Sequence, residues 1–162
     1  MGYRVVQWST GNVGRHAIAG IAARPDLDLV GVWVSTVDKV GRDAGELAGL
    51  GRELGVAATN DAEQLLALRP DCVVYTAMAD DRLMESMDDL RRILRAGINV
   101  VSSSPVFLQF PRGTVPDEVA EPVRRAAVDG GVSLWVNGID PGFANDLLPL
   151  ALTGISERVD QV

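Results

Sequence analysis

VVQWSTGNVGRHAIAGIAAR, residues 5–24, passes from an apolar run through a turn of small residues into a stretch with helical periodicity. A short apolar run bounded by turn residues reads as a strand buried on both sides, and apolar residues at three- and four-residue spacing read as a helix. Two glycines, Gly11 and Gly14, stand in the turn between them. In the pattern G-x-G-x-x-G, Ser9 takes the first position and Gly11 and Gly14 the second and third. Gly11 would let the backbone approach a pyrophosphate. Gly14 would let the helix pack closely on the strand. The helix, starting near Asn12, would present free N–H groups and a partial positive charge to the phosphates. Ser9 is small enough for the turn, although a left-handed backbone there would strain it. The alternative is a tight strand-to-helix corner with no ligand.

Working outward, apolar runs and helical patterns alternate along the chain. Strands are expected at 3–9, 28–35, 56–59, 71–77, 98–103 and 132–137, and helices at 12–24, 41–50, 61–68, 81–96, 116–129 and 143–153. The strands are rich in Val, Ile and Trp, and most are apolar on both faces, as in parallel sheets. Asp61 is placed as an N-cap with Gln64 three residues on, Gly97 as a C-cap, and Pro116 ahead of two acids at a helix start. Alternation of this kind predicts an α/β fold: a doubly wound, Rossmann-like parallel sheet of about six strands, helices on both faces, in the order 3-2-1-4-5-6. Residues 1–155 are read as a dinucleotide-binding domain. The tail SERVDQV, 156–162, is read as the first strand of a substrate domain that lies outside this chain.

Bulk composition narrows the class. At 162 residues the chain can bury about 70 % of its unfolded surface. Hydrophobic residues make up 47 % and charged residues 23 %, the balance of a globular domain. A net charge of −7 with no basic tract argues against a nucleic-acid partner. The sequence has no signal peptide pattern and no apolar stretch of transmembrane length, so no membrane is expected and the location is read as cytoplasmic. The single Cys72 suits a reducing compartment.

VVQWSTGNVGRHAIAGI, VGRDAGELAGL at 40–50 and VNGIDPGFANDLLPLAL at 136–152 together resemble the 2,4-diaminopentanoate dehydrogenase and native amine dehydrogenase-like family. That family is related to the cofactor-binding domain of dihydrodipicolinate reductase. The segment G-x-x-P-G-F, Gly138 to Phe143, carries most of the specificity. The resemblance implies an NAD(P)H-dependent oxidoreductase that transfers hydride, acting on C=N or CH–NH2 groups. It also implies a small-molecule substrate and a homodimer for the full-length protein. By the same resemblance Gly11, Asn12, Val13 and Gly14 contact the pyrophosphate; Thr76, Ala77 and Met78 line the ribose and nicotinamide; and Ser102, Ser103 and Ser104 sit by the nicotinamide. Asn137, Gly138, Pro141 and Gly142 would floor the substrate cleft. Amine-forming members carry a Glu after a short Ser/Thr/Cys run following the fifth strand; here Pro105 follows Ser104, and no carboxylate lies between Asn99 and Arg112. Either acid–base work falls to Asp140 or to a group outside this chain, or the reaction differs from that of the amine-forming members. The competing reading is a non-catalytic dinucleotide-binding module.

The end of the second strand bears on which cofactor is used. NAD-specific sites place an acid there, about 20 residues past the glycines, to hold the ribose hydroxyls. This strand ends Val34-Ser35-Thr36, with Lys39 and Arg42 close by. Two hydroxyls and two cations suit a 2′-phosphate, so NADP is favoured and NAD stays possible. Asp38 and Asp43 work against that choice. His16, Cys72 and the three tryptophans are read as surface or core residues, and Asp80, Asp81, Glu85, Asp88 and Asp89 as a solvated helix start. No metal-ligand spacing is present in the sequence.

Overall fold

A computed structural model describes residues 2–161. Six parallel strands form one sheet: β1 (Tyr3–Trp8), β2 (Leu27–Trp33), β3 (Ala58–Thr59), β4 (Cys72–Tyr75), β5 (Asn99–Ser102) and β6 (Leu134–Val136). Their order is β3-β2-β1-β4-β5-β6, the order the sequence predicts. The chain reverses direction across the sheet between β3 and β4. Right-handed crossovers then put the two sets of helices on opposite faces.

The helices are α1 (Asn12–Ala22), α2 (Ala44–Ala48), α3 (Ala62–Ala67), α4 (Leu83–Arg95), α5 (Asp117–Gly130) and α6 (Leu148–Thr153). One core cluster joins Val6, Trp8, Val73, Tyr75 and Val100 of the strands to Leu65, Leu90, Ile93, Leu94 and Val123 of α3, α4 and α5. A second lies between α1, α2 and the β2–β3 side, around Ile18, Val32, Val34, Ala44, Leu47 and Ala58. Each large side chain so buried stabilises the fold by about 1.5–3 kcal/mol.

Several elements differ from expectation for local reasons. The helix expected at 41–50 begins only at Ala44. Gly41 has φ +82°, outside any helix, and the Asp43 carboxylate caps Gly45 N at 2.7 Å. A 3₁₀ turn, Val37–Lys39, fills the space before it. The expected helix 143–153 is split into a π-helical turn, Phe143–Leu147, and α6, because Pro149 supplies no N–H to continue the first ladder into the second. Asp61 caps α3 by accepting from Gln64 N at 3.1 Å, while its own N–H goes to Thr59 Oγ1 rather than to Gln64. Residues 156–161 form no strand; Val162, the last residue of that segment, lies outside the described residues.

The expectation that most strands are buried on both faces fails on the far half of the sheet. Val101 and Trp135 face each other across β5 and β6 and are 45 % and 62 % exposed. No helix of the described residues covers that face. Trp135 is therefore not a core residue, whereas Trp8 is fully buried.

Candidate dinucleotide site

All six strands are parallel, so their carboxyl ends share one edge of the sheet. Trp33, Trp8, Tyr75, Ser102 and Val136 form one row across it. The ladder runs one residue further: Ser9 N donates to Trp33 O, Thr76 N to Trp8 O, Ser103 N to Tyr75 O and Asn137 N to Ser102 O, all at 2.9–3.2 Å. Sequence-predicted residues from four segments thus meet along one line, where ligands of open α/β sheets bind.

The turn after β1 separates the roles of the two glycines. A Cβ on Gly14 would run into the Ser9 carbonyl oxygen and come within 3.1 Å of Thr76 Oγ1, so the fold itself requires glycine there. A Cβ on Gly11 would meet nothing nearer than Ser9 Oγ at 4.0 Å. Gly11 has φ −72°, a value open to any residue. The fold makes no demand for glycine at this position. Gly11, Asn12 and Val13 are exposed, and α1 has neither a side-chain cap nor an acid in its first turn. Among the described residues, no acceptor binds the N–H groups of Asn12, Val13 or Gly14. An uncapped helix N-terminus at the edge of the central strand is ready to take an anion. Ser9 has φ +85°, the left-handed conformation that the first glycine of the pattern would adopt freely.

At the end of β2, Ser35 and Thr36 are exposed. Lys39 Nζ donates to Thr10 Oγ1 at 3.3 Å, which brings its ammonium beside the glycine turn. Arg42 pairs with Glu46 on the solvent side at 2.9 Å. Asp43 plays a different part from the one expected. Its carboxylate accepts from Gly45 N, Leu54 N, Gly55 N and Val56 N at 2.7–3.1 Å and closes the 43–56 loop. Burial would raise its pKa, but these four bonds outweigh it and hold the carboxyl below the usual range. It has no lone pair to offer a ribose.

At the end of β4, the residues differ in what they offer. Thr76 Oγ1 donates to Trp8 O at 3.1 Å. The Ala77 side chain is buried in the core, and Met78 is exposed. Beneath this row the rings of Trp8 and Trp33 stack at 5.0 Å, with Tyr75 at 6.3 Å on the other side. Arg82 lies 5.8 Å over the Trp33 ring. Asp89, read from sequence as part of a solvated helix face, is half-buried and accepts from the Tyr75 hydroxyl at 3.2 Å. Burial pushes both the Asp89 carboxyl and the Tyr75 phenol above their ordinary values.

At the β5–β6 end the polar groups bond to one another. The Ser102 hydroxyl is buried and bonds the Tyr75 carbonyl, and Ser104 N donates back to it at 3.0 Å. Ser103 and Ser104 are half-buried. Asn137 Oδ1 accepts from Gly138 N at 2.8 Å, and Asp140 accepts from Asn145. Gly142 has φ +138°, and a Cβ there would strike Gly138 O and Asn137 Oδ1. Pro141 is half-buried beside it. Asp140 itself is exposed, with one partner and no second acid near it among those bonds. His16 is exposed on α1, and Cys72 is a free, half-buried thiol whose pKa burial raises. Among the described residues no group of His, Cys, Asp and Glu could hold a metal, and no helix is long and apolar enough to cross a membrane.

An all-parallel six-stranded sheet with a glycine turn at its central strand defines a Rossmann-like domain. The profile of the family described as dihydrodipicolinate reductase, N-terminus, matches residues 5–103, and the chain belongs to that family. It is 46 % identical over 157 residues to an amine dehydrogenase of Streptomyces virginiae, covering 97 % of this chain and 43 % of that protein. Over 89 residues it is 33 % identical to a 2,4-diaminopentanoate dehydrogenase of Acetoanaerobium sticklandii, covering 55 % of this chain and 25 % of that one. The solved amine dehydrogenase of Mycobacterium smegmatis superposes with a TM-score of 0.81 at 30 % identity, covering 99 % of this chain and 46 % of that one. The chain thus spans less than half the length of these relatives.

Proposed function

We propose that this chain is the cofactor-binding domain of an NAD(P)H-dependent oxidoreductase that transfers hydride at C=N or CH–NH2 groups, with NADP preferred over NAD. The observation that carries the reading is the contrast within one turn. Gly14 is glycine because the fold has no room for a side chain, while Gly11 is glycine with open space above it and N–H groups behind it that have no acceptor among the described residues. A pyrophosphate is the group whose close approach a side chain at Gly11 would block. The kinship with amine and diaminopentanoate dehydrogenases supports the choice of reaction.

In this reading Gly11, Asn12, Val13 and Gly14 hold the pyrophosphate by backbone N–H groups. Ser35 and Thr36 face the adenosine ribose, with Lys39 supplying positive charge. Thr76, Met78 and the backbone of Ala77 flank the nicotinamide ribose, and Ser103 and Ser104 border the ring. When bound, the nicotinamide carries the hydride. The residues of this chain bind and orient it. Asn137, Gly138, Pro141 and Gly142 shape the neighbouring floor, and proton transfer is assigned to Asp140 or to a group outside this chain. The remainder of the substrate pocket comes from the part of the relatives that this chain does not span.

The preference for NADP follows from the end of β2. It holds two hydroxyls and Lys39; of the two nearby acids, Asp43 is engaged by four backbone donors, while Asp38 is exposed and opposes the preference. Hydrogen bonds to charged groups contribute about 1.5–3 kcal/mol each, so one would give a preference of roughly ten- to a hundredfold. Fluorescence titration with NADPH and NADH tests it. NADPH should bind more tightly, and Ser35→Asp should reverse the order by repelling the 2′-phosphate. Equal affinities, or tighter NADH, would defeat the NADP assignment.

A further inference from the structure

Gln7 is a fully buried glutamine in the central strand, where apolar residues are the rule. Its side-chain oxygen Oε1 has no partner among the described residues, an arrangement that costs stability. Its amide, by contrast, is fully engaged. Nε2 donates to Ser9 O at 2.8 Å and to Thr76 Oγ1 at 2.7 Å, with Trp8 O at 3.2 Å. These acceptors fix the orientation of the carboxamide, since Oε1 could not replace Nε2 against two carbonyl oxygens.

The bonds around Ser9 converge on one outcome. The peptide before it is held by Thr76 N and Thr76 Oγ1 on Trp8 O, and by Ser9 N on Trp33 O. The peptide after it is held by Gln7 Nε2 on Ser9 O. Among the described residues no other group donates to that carbonyl. The two peptide planes that flank Ser9 set its φ and ψ, and Ser9 stands at φ +85°. A residue with a Cβ avoids that region.

We propose that Gln7 is a positioning residue that holds Ser9 in the left-handed conformation the glycine turn requires, and so lets a serine stand at the first position of the turn. The Ser9 carbonyl is also the atom against which Gly14 packs, so the same bond sets the seat of α1. Gln7 does not touch the pyrophosphate in this account; it acts through the turn that does.

A double-mutant cycle tests this. Gln7→Met keeps the length and removes both donors. Ser9→Gly removes the strain that those donors oppose. Two readouts are used: NADPH affinity by calorimetry, which rests on the function proposed above, and amide hydrogen exchange at Arg15 and Thr76, which does not. Gln7→Met should weaken NADPH about tenfold and lower protection at both amides by a similar factor. Adding Ser9→Gly should restore both to within about threefold of the parent. Should Gln7→Met alone fail to fold, recovery of the fold in the double variant supports the same conclusion. Parent-like exchange in Gln7→Met, or a double variant as impaired as Gln7→Met, overturns the proposal, as does failure of both variants to fold. A parent chain that binds no NADPH but shows the expected exchange pattern would sink the nucleotide reading and leave the role of Gln7 standing.

Discussion

The two ends of the sheet edge are built from similar residues, and they differ in what their polar groups do. At the β1–β2 end, the N–H groups of Asn12, Val13 and Gly14 have no acceptor among the described residues, and Ser35 and Thr36 face solvent. At the β5–β6 end, the Ser102 hydroxyl, Asn137 and Asp140 each bond a neighbour within the chain. The first end leaves donors free, as the proposed anion site requires. The second is closed on itself, and the apolar residues around it, Phe110, Ile139 and Phe143, are exposed.

The largest expected effect tests the structural part of the β1 end. Gly14→Ala should destabilise the chain by about 3 kcal/mol, because the added Cβ meets a backbone carbonyl that cannot yield without moving β1 or α1. Chemical denaturation measures it. A loss under about 1 kcal/mol would show that the helix can shift, and would remove the contrast between Gly14 and Gly11.

A smaller, pH-dependent effect lies beneath the row of aromatic rings. Burial raises the folded-state pKa of Asp89 above its unfolded value of about 3.9. The folded state therefore holds that proton more tightly than the unfolded chain. The contribution favours folding below the unfolded pKa and is lost as pH rises through the folded one. Asp89→Asn, which keeps an acceptor for the Tyr75 hydroxyl, should gain thermal stability over the parent as pH rises above the unfolded-state pKa, with the gain levelling off above the folded-state one. A parent-like pH profile in the variant would show that Asp89 is solvated after all.

The smallest effect belongs to the far end. Trp135→Ala should change stability by no more than about 0.5 kcal/mol, since its ring packs against little in this chain. A loss of several kcal/mol would mean that the bare face of β5–β6 is covered in solution.

The fold was legible in the sequence because its signals are local and repeated. Apolar runs at 71–77 and 98–103, caps at Asp61 and Gly97, and the turn at 9–14 each carry their own physical reason. What escaped was set by tertiary packing. Asp43 looks like any loop acid until the 43–56 loop folds onto it. Asp89 sits in an acidic run, and only the folded chain brings Tyr75 and Arg82 to its carboxylate. Trp135 reads as core because exposure depends on which helix covers a strand, and no local pattern states that. Gln7 gave no signal at all: a glutamine within VVQW is just a polar residue in a strand until Ser9 and Thr76 arrive around its amide.

The claim that the β1 turn is a phosphate cradle is tested most directly by Gly11→Val. The space above Gly11 is open in the folded chain, so the substitution should lower stability by no more than about 1 kcal/mol, the cost of a poorer N-cap. The same side chain would occupy the position of the pyrophosphate. Calorimetric titration with NADPH should therefore show affinity reduced about thirtyfold or more, in a variant whose circular dichroism and unfolding midpoint stay close to the parent's. Undiminished NADPH affinity in the folded variant would contradict the account, and the turn would be a strand-to-helix corner and nothing more.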